Sequence, residues 1–180
     1  MVLLQKIEWV ALACFLLIGW HARVLAQPEL DRESGRIPAP TGKPILQITG
    51  KIQVSTDGER AIFDYELLKQ FPQHSLRVKS PWFDSERIQT GPLLGDLLEF
   101  LGIHGSSMYV QALNGYTASV PVADAKNLKI LLSIDRDGRP LRVRDKGPVF
   151  ITYPFTEMPE LHNDITYAKS VWMVNSIEIQ

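Results

Sequence analysis

Few side chains in this sequence are suited to covalent or metal chemistry. The single cysteine, Cys14, lies in an apolar N-terminal run. His74, His104 and His162 are too far apart in the sequence for the close spacing of a zinc motif. No serine lies in a G-x-S-x-G sequence, the turn that exposes the nucleophile of α/β-hydrolases. The residue types therefore favour a binding protein over an enzyme that uses its own nucleophile or metal ligands.

The N-terminal stretch, residues 1–26, has the pattern of a secretory signal peptide. Lys6 supplies a positive charge, and Val10–Trp20 is a short apolar core. Ala26 ends a segment that suits signal-peptidase cleavage before Gln27. An uncleaved N-terminal anchor is the alternative. Cleavage predicts a periplasmic protein with no membrane span in its remaining chain.

The rest of the chain is expected to form one domain behind a tether. Residues 27–43 are polar and rich in proline and glycine, which predicts a flexible tether. The domain is predicted over residues 44–180, a length that can bury a core of its own. The sequence has 19 basic and 20 acidic residues, and no basic cluster indicates nucleic-acid binding.

Local patterns predict many short strands and few helices. Period-two alternation over residues 45–55 predicts a strand, with a possible bulge at Gly50. Asp64 is suited to cap a short helix that ends before Pro72. Asn114-Gly115 between two apolar runs predicts a hairpin with a two-residue turn. This mixture indicates an α+β fold.

The clearest predicted helix begins at Gly91-Pro92. Pro92 suits the first helical position, where its missing N–H costs nothing. The leucines from Leu93 to Leu101 repeat at helical spacing, and Gly102 suits the C′ position. Further strands are expected at 76–79, 87–89, 130–134, 149–153 and 171–179, a short helix at 122–127, and irregular structure at 157–167.

A series of short motifs from about Leu76 onwards resembles the molybdopterin-binding domain of the sulfite oxidase family. This resemblance covers roughly the last two-thirds of the chain and implies a mixed β-sheet with few short helices. The motifs, in order, are Pro81-Trp82, Gly91-Pro92-Leu93-Leu94, Asn114-Gly115-Tyr116, Asp137-Gly138-Arg139-Pro140-Leu141, Gly147-Pro148-Val149-Phe150, Tyr153-Pro154 and Val171-Trp172.

The cysteine that holds molybdenum in catalytic members of that family has no counterpart here. By its place ahead of Trp82, Val78 is expected at the ligand position, and valine cannot replace a soft thiolate. The chain is more similar to small exported members that bind a free pterin. The resemblance therefore implies a reduced pterin as ligand and disfavours molybdopterin. A molybdopterin-dependent oxidoreductase, or a subunit of one, remains the alternative.

The same resemblance implies a signalling role and a partner. The exported pterin-binding members pass their ligand state to a membrane-bound enzyme that makes or degrades cyclic di-GMP. The expected partner is thus the periplasmic sensor domain of a diguanylate cyclase or phosphodiesterase. Residues 153–167 are predicted to be a lid or partner surface, or else a plain surface crossing.

A pterin needs aromatic faces for its flat ring, a carboxylate for its guanidine-like edge and polar groups for its oxygens. Trp172 is expected in the core instead, and Asp124 could simply support its own helix. Arg77 could contact a ligand oxygen or be a solvated charge, and Arg142 and Arg144 share that ambiguity. The predicted ligand-binding residues are Arg77, Trp82, Asp84, Asn114, Tyr116, Tyr153, Phe155 and Glu157.

Overall fold

The computed structural model describes Leu30, Asp31 and residues 34–180. The predicted signal peptide and the start of the predicted tether lie outside the described residues. Most of the secondary structure in this range is short strands. The strands are β1 Leu46–Gly50, β2 Ala61–Phe63, β3 Gln73–Val78, β4 Arg87–Pro92, β5 Ser107–Ala112, β6 Thr117–Pro121, β7 Leu131–Ser133, β8 Asp135–Arg136, β9 Arg139–Pro140, β10 Phe150–Thr152 and β11 Val174–Ile179.

Short helices connect these strands. Each α-helix has between five and seven residues. Two 3-10 turns, Val143–Asp145 and Pro159–Leu161, lie in the C-terminal third. The α-helices are α1 Tyr65–Lys69, α2 Leu94–Phe100, α3 Val122–Asn127 and α4 Asp164–Lys169.

The strands form three sheets. The largest has the order β2-β1-β11-β5-β6, in which β1 and β11 are parallel and the other pairs antiparallel. A second, antiparallel sheet has the order β3-β4-β8-β9, and β7 pairs with β10. The architecture is thus α+β with one mixed sheet and few short helices, which confirms the predicted fold class.

Several elements form where local sequence predicts them. The Asp64 carboxylate accepts the backbone N–H of Leu67 at 2.8 Å and so caps α1. Gly102 follows α2 with φ 60°, which is the left-handed conformation that glycine tolerates best. Helix α3 coincides with its predicted range, and β11 lies within its own.

The predicted start of α2 is wrong. Pro92 belongs to β4, and the helix begins at Leu94. A Cβ at Gly91 would clash with the carbonyl oxygen of Leu132, so the chain passes there as a strand against β7. Glycine and proline therefore mark a close strand crossing rather than a helix N-terminus.

Two other local predictions also differ from the structure. The turn between β5 and β6 spans four residues, and of its Asn114-Gly115 pair only Gly115 has positive φ, 85°. The segment predicted to be irregular contains α4, whose N-cap is Asn163. The Asn163 side chain accepts the backbone N–H of Thr166 at 3.0 Å, so the helix has a local capping signal.

Part of the predicted tether packs against the domain. Ile37 is only 2% exposed and lies in the apolar core. Its backbone N–H donates to the carbonyl of Ser55 at 2.7 Å, and the N–H of Gly42 donates to Asp64. The packed domain therefore includes residues before Pro44. Burial of the apolar Ile37 side chain stabilises this arrangement, although the segment around it is polar.

One apolar core lies between the sheets and helices. The leucine face of α2 is buried in it, as its helical spacing predicts; Leu94, Leu97 and Leu98 are all inaccessible to solvent. No helix within the described part of the chain has the length and apolar character needed to cross a membrane.

Candidate ligand-binding cleft

A cleft of about 790 Å³ opens between the loop that follows β3 and the hairpin formed by β8 and β9. Pockets for small organic ligands usually measure about 300–1,000 Å³. Two aromatic rings, Trp82 and Phe83, lie on the loop side of the cleft. Charged side chains line most of the remainder, together with Pro140 and Leu141: the arginines are Arg87, Arg136, Arg139 and Arg142, and the aspartates are Asp84, Asp137 and Asp145.

The aromatic wall is anchored by the core beneath it. The Trp82 ring packs against Phe150, Phe155 and Tyr167, with centroid distances of 5.7, 6.0 and 5.5 Å. Trp82 remains partly exposed on its cleft side. Such contacts between rings hold the indole in one orientation, so the cleft has a preformed aromatic wall.

Phe83 carries a cation on its face. The guanidinium carbon of Arg136 lies 4.5 Å from the centroid of the Phe83 ring, within the range of a cation–π contact. Burial lowers the pKa of Arg136, the carboxylates of Asp145 and Asp137 oppose that shift, and Arg87 adds to it. The guanidinium is therefore poorly hydrated, and an anion beside it would be stabilised.

Of the four arginines that line the cleft, two form ion pairs with aspartates and two form none with the described residues. Arg87 forms an ion pair with Asp137 at 3.3 Å, and Arg142 forms one with Asp145 at 2.9 Å. Arg136 and Arg139 form no ion pair with any described residue. Within the described residues these two positive charges have no carboxylate at ion-pair distance, although Asp137 and Asp145 act on the Arg136 charge from further away.

Gln89 lies beside these arginines and is fully buried, with 0% exposure. It is opposite Arg136 in the antiparallel pairing of β4 and β8. Neither its amide oxygen nor its amide nitrogen has a hydrogen-bond partner among the described residues. Burying an amide without hydrogen bonds costs about 1–3 kcal/mol. The protein's own contacts therefore give no reason for a polar residue at this buried position.

Of the predicted ligand-binding residues, Trp82 and Asp84 lie together in this cleft. Tyr153 and Phe155 are packed in the core, at 0% and 1% exposure, so they do not line it. Phe155 supports Trp82 from below instead. Both residues follow a buried strand, a place where pockets often open, but neighbouring aromatic rings pack around them here.

Tyr153 also has its own polar partners. Its hydroxyl donates to Asp124 at 2.9 Å, and Lys169 donates to the same carboxylate oxygen. Burial and this hydrogen bond raise the pKa of Tyr153, so the phenol is neutral at physiological pH. Asp124 therefore joins α3 to the end of α4.

The other four predicted residues lie outside the cleft lining. Arg77 is exposed on β3 and pairs with Glu86 at 3.2 Å. Asn114 and Tyr116 lie at the tip of the hairpin, where the Tyr116 hydroxyl donates to the carbonyl of Ala168 in α4. Glu157 is exposed in the loop after β10. Their role in ligand binding stays a prediction that the cleft does not support.

The position expected for a metal ligand is apolar. Val78 ends β3 with 1% exposure and belongs to the hydrophobic core. The described residues contain no cysteine, and no three His, Asp or Glu side chains among them could hold a metal ion. The residues present therefore do not fit the thiolate-bound molybdenum centre of the catalytic enzymes.

The arginines Arg136 and Arg139 were not predicted as site residues. The segment 136–144 holds four arginines, and that local density could have indicated an anion site. Phe83 is not among the predicted site residues either. What distinguishes these cleft side chains from ordinary solvated ones is their burial and their pairing across strands. Neither can be predicted from the local sequence.

A second cleft, of about 810 Å³, lies beside α2 and α3. Its lining includes Asp96, His104 and Lys129, but no phenylalanine, tyrosine or tryptophan among the described residues. It therefore lacks the aromatic faces that would bind a flat ring, and the cleft at Trp82 is the better candidate.

Comparison with known proteins supports the fold. No protein-family model and no curated protein matches the sequence. Among solved structures, the chain is similar to the sulfane dehydrogenase SoxCD from Paracoccus pantotrophus, with a TM-score of 0.54 and 16% sequence identity. The match covers 74% of this chain but only 37% of that one. The chain thus has the sulfite oxidase-like molybdopterin-binding fold and spans little more than a third of its structural neighbour.

Proposed function

We propose that this protein binds a reduced pterin in the cleft at Trp82 and has no catalytic activity of its own. Trp82 and Phe83 supply aromatic faces for the flat ring. The Asp84 carboxylate accepts two N–H groups from the guanidine-like edge. Arginines of the cleft donate to ring or side-chain oxygens.

The observation that carries this proposal is the meeting of rings, carboxylate and unpaired arginine in one cleft. A flat ring that packs against an aromatic side chain gains about 0.5–1.5 kcal/mol per contact beyond its area burial. The Arg136 guanidinium on Phe83 adds a donor at the same wall. The buried Val78 disfavours a metal-bound cofactor, whereas a free pterin needs no thiolate.

We further propose that the exported protein relays its ligand state to the periplasmic sensor domain of a membrane-bound diguanylate cyclase or phosphodiesterase. A path for that relay runs through α4. Trp82 packs on Tyr167 of this helix. Ile165, which lies in the same helix, is 75% exposed. A ligand that holds Trp82 in one orientation would favour one position of α4 through Tyr167. A partner with higher affinity for α4 in that position would then bind the ligand-bound protein more tightly than the free protein.

Fluorescence titration with a tetrahydropterin tests the proposal. After cleavage at Ala26 the chain keeps two tryptophans, Trp82 and Trp172. Binding should quench the wild type and the Trp172→Phe variant, and the Trp82→Phe variant should lose most of the change. Absence of binding below about 1 mM, a free energy of roughly −4 kcal/mol, would contradict it.

A molybdopterin-dependent oxidoreductase, or a subunit of one, is the second candidate. The fold shared with the sulfane dehydrogenase favours it. Metal analysis of protein purified from its own periplasm separates the two. Stoichiometric molybdenum would support this candidate, and pterin without molybdenum would support a pterin-binding protein.

A further inference from the structure

The outer strands of the two larger sheets differ in how their free edges are protected. Strand β9 is Arg139-Pro140, and β3 carries the exposed Arg77. The edge of β2 is covered, because the backbone N–H of Ile62 donates to the hydroxyl of Thr56 at 2.9 Å. Charge, proline and cover are common means of preventing edge-to-edge pairing. Strand β6, in contrast, has no charged side chain, and its one proline is its last residue.

The outer backbone groups of β6 are free. The N–H of Val122 donates to the carbonyl of Ser106 at 3.0 Å, in register with the pairing of β5 and β6. Hydrogen-bonded pairs in an antiparallel ladder recur at every second residue, so the N–H and C=O groups of Thr117 and Ser119 point away from β5. No described residue forms a hydrogen bond with these groups. Helix α4 packs against β6, yet Thr117 and Ser119 remain exposed.

The side chains beside this edge are uncharged. Tyr109 is opposite Ser119 on β5 and is 40% exposed, and the exposed Gln111 is opposite Thr117. Two copies of this surface can therefore approach each other without charge repulsion. Two copies of β3 or β9 would instead bring arginines together.

We propose that β6 pairs antiparallel with β6 of a second copy of this chain, so that the five-stranded sheet continues across a two-fold axis. The free N–H and C=O groups of an extended backbone are best satisfied by another extended backbone. A second β6 offers the same groups in reverse order, so the surface is self-complementary, as a two-fold dimer requires. This inference is independent of the proposed function, because no residue of β6 lines the cleft.

The outward groups also select the register of this pairing. If Ala118 lies opposite its own copy, each Thr117 faces a Ser119 of the second copy and exchanges both backbone hydrogen bonds with it. An axis at Ser119 would place Pro121 opposite Thr117, and proline has no N–H to donate. The small Ala118 side chain suits the close approach of a non-hydrogen-bonded pair, whose Cα atoms are about 4.5 Å apart.

Sedimentation velocity of the exported chain at increasing protein concentration tests the proposal. The ladder is short, so the interface is small and the dissociation constant of the dimer should be on the order of 10–100 μM. Ser119→Lys places a charge at the free edge of each copy and should weaken dimerisation by about tenfold or more. Ser119 is exposed, and its N–H is not used within the chain, so this variant should fold as the wild type does.

Ser75→Lys is the matched control. Ser75 is also an exposed serine on an edge strand, but it lies on β3 in the other sheet. This variant adds the same charge and should dimerise as the wild type does.

A cysteine at Ala118 tests the register. After cleavage at Ala26 the chain has no cysteine, so Ala118→Cys introduces a single thiol. Mild oxidation should convert this variant to a disulfide-linked dimer, because a Cα separation of about 4.5 Å is within the range of disulfides. Ser75→Cys should remain uncrosslinked.

A concentration-dependent dimer that Ser119→Lys weakens and Ala118→Cys traps would support the proposal. A chain that stays monomeric up to about 500 μM would overturn it and would leave this edge to a strand of another protein. A dimer that Ser119→Lys does not weaken would place the interface elsewhere and would also overturn the proposal. A dimer that Ser119→Lys weakens but Ala118→Cys does not trap would overturn the register centred on Ala118.

Discussion

The guanidinium of Arg136 lies on the face of Phe83, 4.5 Å from the ring centroid. This contact places a cation and an aromatic surface on the same wall of the cleft. Arg87 forms an ion pair with Asp137, whereas Arg136 forms no ion pair with any described residue. The unpaired positive charge of this wall therefore lies at Arg136. A flat ligand with an anionic group would use both features.

The aromatic wall yields the first prediction. Phe83→Leu should weaken tetrahydropterin binding by roughly twofold to tenfold, because an aromatic contact contributes about 0.5–1.5 kcal/mol beyond area burial. The dissociation constant from tryptophan fluorescence measures the effect. Trp172→Phe, outside the cleft, should bind as the wild type does. Unchanged affinity in Phe83→Leu would remove Phe83 from the site.

Asp84 is a carboxylate in the cleft, and Glu157 is a carboxylate in the loop after β10, outside the cleft. Asp84→Asn should weaken tetrahydropterin binding by about tenfold, because it replaces a charge-assisted acceptor with a neutral one. Glu157→Gln makes the same chemical change outside the cleft and should leave the affinity unaltered. Titration calorimetry measures both variants. The reverse pattern would place the guanidine-like edge of the ligand at Glu157.

The hydroxyl of Tyr153 is expected to stabilise the fold rather than bind ligand. Tyr153→Phe removes its hydrogen bond to Asp124 and should lower the free energy of unfolding by about 1 kcal/mol. Urea unfolding measures this loss, and pterin affinity should not change. Tyr109→Phe, at an exposed tyrosine, should be nearly neutral. A large loss of affinity with unchanged stability would contradict the structural role.

Alkaline pH should reveal the bond between Tyr65 and Asp135. Burial, together with the Asp135 carboxylate that accepts the phenol at 2.9 Å, raises the pKa of Tyr65 to about 12. In an unfolded chain a tyrosine ionises near pH 10, so above that pH the unfolded state loses a proton that the folded state keeps. The stabilisation is therefore complete below about pH 10 and is lost as the pH rises through about 12.

Urea unfolding at several alkaline pH values tests this prediction. The stability difference between the wild type and Tyr65→Phe should shrink across that window, because the variant has no phenol to ionise at this position. Effects of other alkaline groups, including Tyr153, are common to both proteins and cancel. Parallel stability curves would show that Tyr65 is not protected from ionisation in the folded state.

Elements with a local signal could be predicted from the sequence. The carboxylate of Asp64 caps α1, and Gly102 ends α2 in a left-handed conformation. In contrast, Gly91-Pro92 has the local appearance of a helix start but lies in β4, because the strand passes close to the backbone of Leu132. That approach joins distant parts of the chain, so no local pattern indicates it.

The candidate site shows the same limit. Trp82 and Asp84 are neighbours in one loop, and both line the cleft. Tyr153 was predicted there too, at the end of a buried strand, but that place does not tell whether a ring faces solvent or core. Gln89 and Arg136 are opposite each other only through the register of β4 and β8, and adjacent sequence does not encode that pairing.

The most direct test of the account is the fluorescence titration of the exported protein with a tetrahydropterin, in the wild type, Trp82→Phe and Asp84→Asn. Pterin binding in the cleft should give saturable quenching with a micromolar or tighter dissociation constant, lost in the tryptophan variant and weakened in the aspartate variant. No saturable change below about 1 mM, or variants that both bind the pterin as tightly as the wild type, would show that the cleft at Trp82 is not a pterin site.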